Sequence, residues 1–262
     1  YISKYREPIF GSFKGYDIIS MGPPSSGGVL LIHMLNMLNE LQTTSELSLD
    51  LSFNSPDYIH LLTEIERRAY ADRSEHLGDS DFWDVPIQML LSKSYTENRI
   101  KSIDLEKATK SNKIKHGEKI IKESEETTHY SIVDKDGNAV SVTTTINSGY
   151  GSGITITGAG FLMNNEMDDF SSKPGVPNLF GLVGNEANAI EPKKRPLSSI
   201  TPTIVLKNNK PYLVLGTPGG ATIITTVFQN ILNVILHDMN IKEAVSSPRF
   251  HSQWLPDVVY YE

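Results

Sequence analysis

No cysteine occurs in the 262 residues, which excludes disulfides and thiolate zinc sites. That absence fits an oxidising compartment without fixing one. No apolar run approaches the roughly 20 residues that a membrane helix needs. The histidines number 7 and are scattered, with no His-Glu-x-x-His among them. A P-loop and a Gly-x-Ser-x-Gly elbow are both missing, and the glycines from Gly149 onward do not fit Gly-x-Gly-x-x-Gly. A basic excess is missing too: 24 Lys and Arg stand against 31 Asp and Glu, a net charge of −7. That balance argues against a nucleic-acid partner. No signal peptide is visible and the first residue is not methionine, so the chain reads as a piece of something longer.

What is there suffices for one sizeable core and one or two domains, with 39% of residues hydrophobic. Residues 1–20 read as short strands or a loop. Val29 to Leu41 places Leu30, Met34, Met37, Leu38 and Leu41 at helical spacing. Ser55-Pro56 opens a second helix, Asp57 to Arg73, with Ile59, Leu62, Ile65 and Ala69 on one side. A third helix is expected from about Pro86 to Ile103. Asp104 to Glu126, rich in Lys, Glu and Ser, reads as a flexible, solvated linker, and exposed linkers are where chains are cut.

From Thr127 the period changes to two. Tyr130 and Ile132, then Val140, Val142 and Ile146, alternate with polar residues, and Asp136-Gly137 between them signals a hairpin turn. Short strands or loops fill Gly149 to Asn165, and Pro174 to Gly184 is a loop. Ser199 to Leu206 and Tyr212 to Gly216 read as buried strands. An apolar helix follows from about Thr222 to Leu236, and a shorter one starts at Asn240. Helices, then strands, then helices give an α+β layered domain.

The chemistry centres on Thr127, at the end of the linker and the start of the strands. A threonine at a chain start can use its own α-amino group as the base for its hydroxyl. If Asp136-Gly137 closes the hairpin, paired positions sum to about 273. Thr127 then falls near Thr145, Ile146 and Asn147, with one residue of slack for a bulge. A plain Thr-rich strand pair would look the same. Gly216-Thr-Pro-Gly-Gly220 leaves a strand and opens a helix, so Gly219 and Gly220 form either a tight turn or an oxyanion hole. Pro196-Leu-Ser-Ser199 offers two hydroxyls for a carboxylate or for local backbone. Asn164-Asn-Glu-Met-Asp-Asp169 is a cradle for an ammonium, an exposed acidic turn or a calcium site.

Taken in order, these segments resemble the γ-glutamyltranspeptidase family of N-terminal-nucleophile hydrolases. The resemblance runs through Pro23 to Gly28, Ala69 to Glu75, Thr127-Thr-His-Tyr-Ser131, Asn164 to Phe170, Pro174 to Gly184, Lys194 to Ser199, Pro218-Gly-Gly220 and Pro248-Arg-Phe250. It implies a four-layer αββα sandwich. It also implies a precursor that cuts itself between Glu126 and Thr127 into a large-subunit part, 1–126, with the linker at about 104–126, and a small subunit, 127–262. The two would remain together as a heterodimer. Thr127 and Thr145 match the nucleophile and its orienting threonine, and Gly219 and Gly220 match the oxyanion donors. Asn147, Glu166 and Asp169 match residues at the substrate α-amino group, and Ser198 and Ser199 match those at its α-carboxylate.

The implied activity is transfer of a γ-glutamyl group from glutathione or a related donor to an amino acid, a peptide or water. No cofactor or metal is expected, and the implied location is bacterial, periplasmic or secreted. The resemblance also places the family's N-terminal half, with its carboxylate-binding arginine, and the end of the small subunit beyond these residues. Phe180 stands where many bacterial members have tyrosine, so it lacks a hydroxyl to bond Asn147. Thr217 and Ala221 replace serines beside the glycine pair, and Thr222 replaces an arginine. The alternatives are another amidase of this superfamily, a β-lactam acylase or a poly-γ-glutamate transferase, or an inactive fragment.

Overall fold

The computed structural model describes residues 2–44, 50–114 and 127–262. Its core begins with a hairpin, β1 (Ile9–Phe13) and β2 (Tyr16–Ser20), followed by helix α1 (Gly27–Thr44). Helix α2 (Pro56–His76) starts where the sequence predicts: Ser55 caps it by accepting from the Tyr58 N–H at 3.1 Å, with proline next. The expected third helix is broken in two, α3 (Ile87–Leu90) and α4 (Lys93–Ile100). The cause is Ser92, whose side chain accepts from the Tyr95 N–H and so starts a new helix.

Part of the predicted linker is anchored. Within 104–114, the Thr109 N–H donates to Glu64 at 2.9 Å, Ser111 bonds Asp257, and the Trp254 indole donates to the carbonyls of Ser111 and Ile114. Residues 115–126, which include Glu126 and hence one side of the expected cut, lie outside the described residues.

Strands β3 (Thr128–Val133) and β4 (Ala139–Thr144) form the expected hairpin. Its pairs sum to 272, as in Thr128 with Thr144, one less than the expected register. The Asp134 carboxylate accepts from the N–H groups of Asp136 and Asn138, which makes a five-residue loop instead of a two-residue turn. Then come β5 (Thr203–Lys207), β6 (Lys210–Leu215), α5 (Thr222–Ile235), α6 (Ile241–Ser246) and a short pair, β7 (Phe250–His251) with β8 (Tyr260–Tyr261).

The main sheet has the order β1-β2-β5-β6, all antiparallel, so it takes two strands from each side of position 127. Ile18 and Val205 face each other across its middle, both fully buried. Helices α1, α2 and α5 pack together through Leu31, Leu35, Leu61, Ile65, Ile224 and Phe228, each 0–1% exposed, and α1 also covers β1 and β2. The β3–β4 hairpin packs against β5 and β6. Ser141 Oγ donates to the Leu215 carbonyl at 2.9 Å and accepts from the Thr203 N–H at 3.1 Å. The order is helices, sheet, second sheet: an α+β fold in which the hairpin's outer side chains Tyr130, Ile132 and Val140 stay exposed.

One feature of the packing positions the site. The N-terminus of α1 lies against the extended segment that leads into β5. A Cβ on Gly27 would sit 2.4 Å from the Ile200 carbonyl, and one on Gly28 would sit 2.4 Å from that of Met21. Only glycine lets the chain come that close.

Candidate active site

A small recess opens where the hairpin, the loops after it and the start of α5 converge. Of the residues singled out in the sequence, Thr127, Thr145, Asn147, Asp169, Ser198, Ser199 and Gly220 line it. Gly219 adjoins Gly220 in the chain. Glu166 lines a neighbouring, larger recess that shares Thr145 and Ser198 with the first. Arg73, Phe180 and Leu182 complete much of the remaining wall.

Thr127 directly precedes β3, whose first pair is Thr128 with Thr144, and Thr127 and Thr145 line the same recess. Thr145 Oγ1 accepts from the Asn147 N–H at 2.8 Å, which fixes the turn after β4. Asn147 holds a left-handed backbone, φ 76, that only a few non-glycine residues adopt. Its Nδ2 donates to the Asn165 carbonyl at 3.2 Å. Asn165 in turn clasps Ser148 through both ends of its amide, at 3.0 and 3.2 Å. The strand end bearing Thr145 and the segment bearing Glu166 and Asp169 are thus joined by side chains.

Glu166 and Asp169 sit on one 3-10 turn, Glu166–Asp169. Burial raises the Glu166 carboxyl to about 7. Burial, with the Glu166 charge adding to it, raises Asp169 to about 7, against an opposing pull from Arg73. Carboxyls so placed gain most from a cation that enters the recess.

The opposite wall holds the serines. The Ser198 carbonyl accepts from both N–H and Oγ of Ser26, each at 2.8 Å, and the Ser198 N–H donates to the Pro24 carbonyl at 3.0 Å. Arg73 was missed as a site residue by the sequence reading. Its Nε donates to Ser26 Oγ at 2.9 Å and its Nη2 to Ser199 Oγ at 3.2 Å. Burial lowers its pKa to about 10, so it stays a cation at neutral pH. The signal for it was present: Arg73 continues the Ile65, Ala69 stripe by four residues, and an arginine on a buried stripe needs polar partners. Asn188 bridges the two walls. It donates to the Asp169 carbonyl at 2.7 Å and accepts from the Leu197 N–H at 2.9 Å.

The glycine pair has φ 134 at Gly219 and φ 55 at Gly220. The Gly219 carbonyl accepts from Thr222 through both N–H and Oγ1, at 3.0 and 2.8 Å, which closes the turn into α5. Among the described residues, neither glycine N–H donates to another protein atom. Tyr70 on α2 donates to the next carbonyl, that of Ala221. From the other side, His129 lies against Gly216, where a Cβ would meet the ring at 2.4 Å. No group of three or more His, Asp or Glu side chains that could hold a metal occurs among the described residues.

A layered α+β sandwich with a threonine just ahead of a strand, and a glycine turn lining the same recess, is the architecture of the N-terminal-nucleophile hydrolases. Over 95% of this chain the fold matches a cephalosporin acylase from Bacillus halodurans, of which it covers 41%, with a TM-score of 0.71 at 24% identity. A mutant gamma-glutamyltranspeptidase from Helicobacter pylori matches over 50% of this chain and 71% of that one, at 71% identity and a TM-score of 0.50. The glutathione hydrolase proenzyme of Escherichia coli (strain K12) is 51% identical over 257 residues, which are 98% of this chain and 43% of that protein. The sequence model of the gamma-glutamyltranspeptidase family matches residues 1–262, and the chain belongs to that family. It spans less than half the length of the Escherichia coli relative.

Proposed function

We propose that this recess is the γ-glutamyl transfer site of a glutathione hydrolase and transferase, with Thr127 as its nucleophile. The observation that carries the reading is the set of complementary groups around this recess and the larger one that adjoins it. Carboxylates Glu166 and Asp169 suit an α-ammonium, and Ser198 with Arg73-held Ser199 suits an α-carboxylate. Gly220 lines the same recess as Thr127, and in this reading the side-chain amide of a γ-glutamyl donor would reach between them.

In this reading the Glu126–Thr127 bond is cut first, which frees the Thr127 α-amino group. Unbound to a neighbour, such a group has a pKa near 8, suited to general base duty at neutral pH. It takes the proton as Thr127 Oγ attacks the γ-carbonyl carbon. The N–H groups of Gly219 and Gly220 receive the oxyanion. Collapse breaks the amide bond, and the ammonium of Thr127 returns the proton to the departing amine. The threonyl ester then passes the γ-glutamyl group to water, an amino acid or a peptide, with the same amine deprotonating the acceptor. The two products of the cut stay together as a heterodimer, and the protein is exported, to the periplasm or beyond.

Thr127→Ala in the full-length protein tests this. An intact-mass spectrum should show one uncut chain, and release of the leaving group from a γ-glutamyl anilide should fall by at least about 10³-fold. Persistent turnover would end the proposal. The unsubstituted protein should prefer γ-glutamyl to glutaryl anilide, because a glutaryl group has no ammonium for Glu166 and Asp169. The reverse preference would favour an acylase.

A further inference from the structure

Phe180 walls the recess from the 174–184 loop, and the tip of that loop is gripped from two sides. On the solvent side, Asp168 Oδ2 accepts from the Leu179 N–H at 2.6 Å. On the buried side, Gln253 Nε2 donates to the Phe180 carbonyl at 3.1 Å. Within the loop, Asn178 Oδ1 accepts from the N–H groups of Phe180 and Leu182 and shapes the tip as a unit.

The buried bond belongs to a chain whose direction chemistry fixes. The Phe180 carbonyl can only accept, so the Gln253 amide turns its nitrogen there and its oxygen toward His251. That oxygen can only accept, so His251 Nε2, 3.0 Å away, carries the proton. Burial lowers the His251 pKa to about 4, so the ring is neutral near pH 7 and Nδ1 is an acceptor. The Thr225 hydroxyl, 2.8 Å from Nδ1 and 3.0 Å from the Thr222 carbonyl, shares its one proton between these two acceptors. Thr225, His251, Gln253 and Phe180 are each at most 5% exposed, so water offers no ready substitute partner. Thr225 stands on the first turn of α5, directly after the glycine pair.

We propose that Thr225, His251 and Gln253 are positioning residues that tie the 174–184 loop to the helix bearing the glycine turn, so that the outer wall of the pocket and its oxyanion donors keep one relative placement. The functional part of this rests on the γ-glutamyl reading of the recess. The tether itself does not.

The test is Gln253→Met in the full-length protein, which keeps the volume and removes both hydrogen bonds. Amide hydrogen exchange at residues 176–182, measured without substrate, should quicken by about three- to ten-fold, with α1 unchanged. KM for a γ-glutamyl anilide should rise several-fold with kcat within about two-fold. His251→Leu should reproduce the loosening. His251→Gln, which can still donate to the Gln253 oxygen, should reverse most of it. Should Gln253→Met not accumulate folded, Thr225→Val cuts only the first link and should loosen the loop by a smaller factor. Loop exchange equal to that of the unsubstituted protein, or a rise shared equally by α1, overturns the tether. Faster loop exchange in a protein that ignores γ-glutamyl donors would uphold the tether and sink the γ-glutamyl reading.

Discussion

The helical half and the site half of this molecule are built by different means. In α1, α2 and α5 the backbone bonds itself, and large apolar side chains fill the interior to near-zero exposure. Between Thr145 and Pro202 the chain has no strand and no α-helix, only isolated bridges and two 3-10 turns. There the backbone is held by amides and hydroxyls: Asn165 on Ser148, Asn188 on Asp169 and Leu197, Ser26 on Ser198. Hydrophobic burial is strong but has no direction, whereas a hydrogen bond aims a particular atom. Stability and site geometry are therefore entrusted to separate sets of residues, and substitutions should separate them.

The largest expected effect is at the joint between the halves. Gly219→Ala places a methyl group 2.4 Å from Thr222 Oγ1 at φ 134, which no L side chain tolerates well. The turn must reorganise, and kcat for γ-glutamyl transfer should fall by about 10²–10³-fold while the melting temperature moves little.

A paired substitution can break the comparison outright. Leu61→Ala should lower unfolding free energy by about 2–5 kcal/mol and leave KM for the donor unchanged. Asn165→Ala should cost only about 1 kcal/mol yet raise that KM about ten-fold, because Ser148, next to Asn147, loses both of its bonds to the Asn165 amide. Denaturant melts and initial rates on the same two proteins decide it. Equal losses of stability would mean that the site half carries the fold as well.

The smallest effect is in pH. Glu166 and Asp169, both raised to about 7, must be ionised to hold an ammonium. The value of kcat/KM should therefore decline as pH falls below about 7. Their effect on stability has the opposite sign. A carboxyl raised by the fold adds stability that is complete below its unfolded value near 4 and is lost as pH rises through about 7. Activity and thermal stability measured across pH 5 to 8 should diverge, and a parallel course would contradict the assignment.

This division explains what could be read from the sequence. The helices α1, α2 and α5 were legible because burial leaves a periodic trace, as in Ile59, Leu62, Ile65 and Ala69. The break at Ser92 was not, since a mid-helix serine looks like any other polar residue until its side chain caps a neighbour. The hairpin was foreseen, but its register slipped by one because Asp134 lengthens the turn. The nine candidate residues were named from local motifs and the family resemblance. Arg73, Asn188 and Gln253 were passed over because their partners lie outside any helical or strand repeat, and no periodicity records such a pairing.

The shared sheet has one more consequence. Strands β2 and β5 pair across its middle, and β2 comes from before the expected cut while β5 comes from after it. In an unbroken chain, unfolding is a one-molecule event whose midpoint ignores dilution. Once the bond before Thr127 is gone, unfolding of the same sheet releases two separate polypeptides. Its midpoint must then fall as the protein is diluted. A single severed peptide bond, far from the sheet's centre in sequence, would convert the molecule's heat resistance from a constant into a function of concentration.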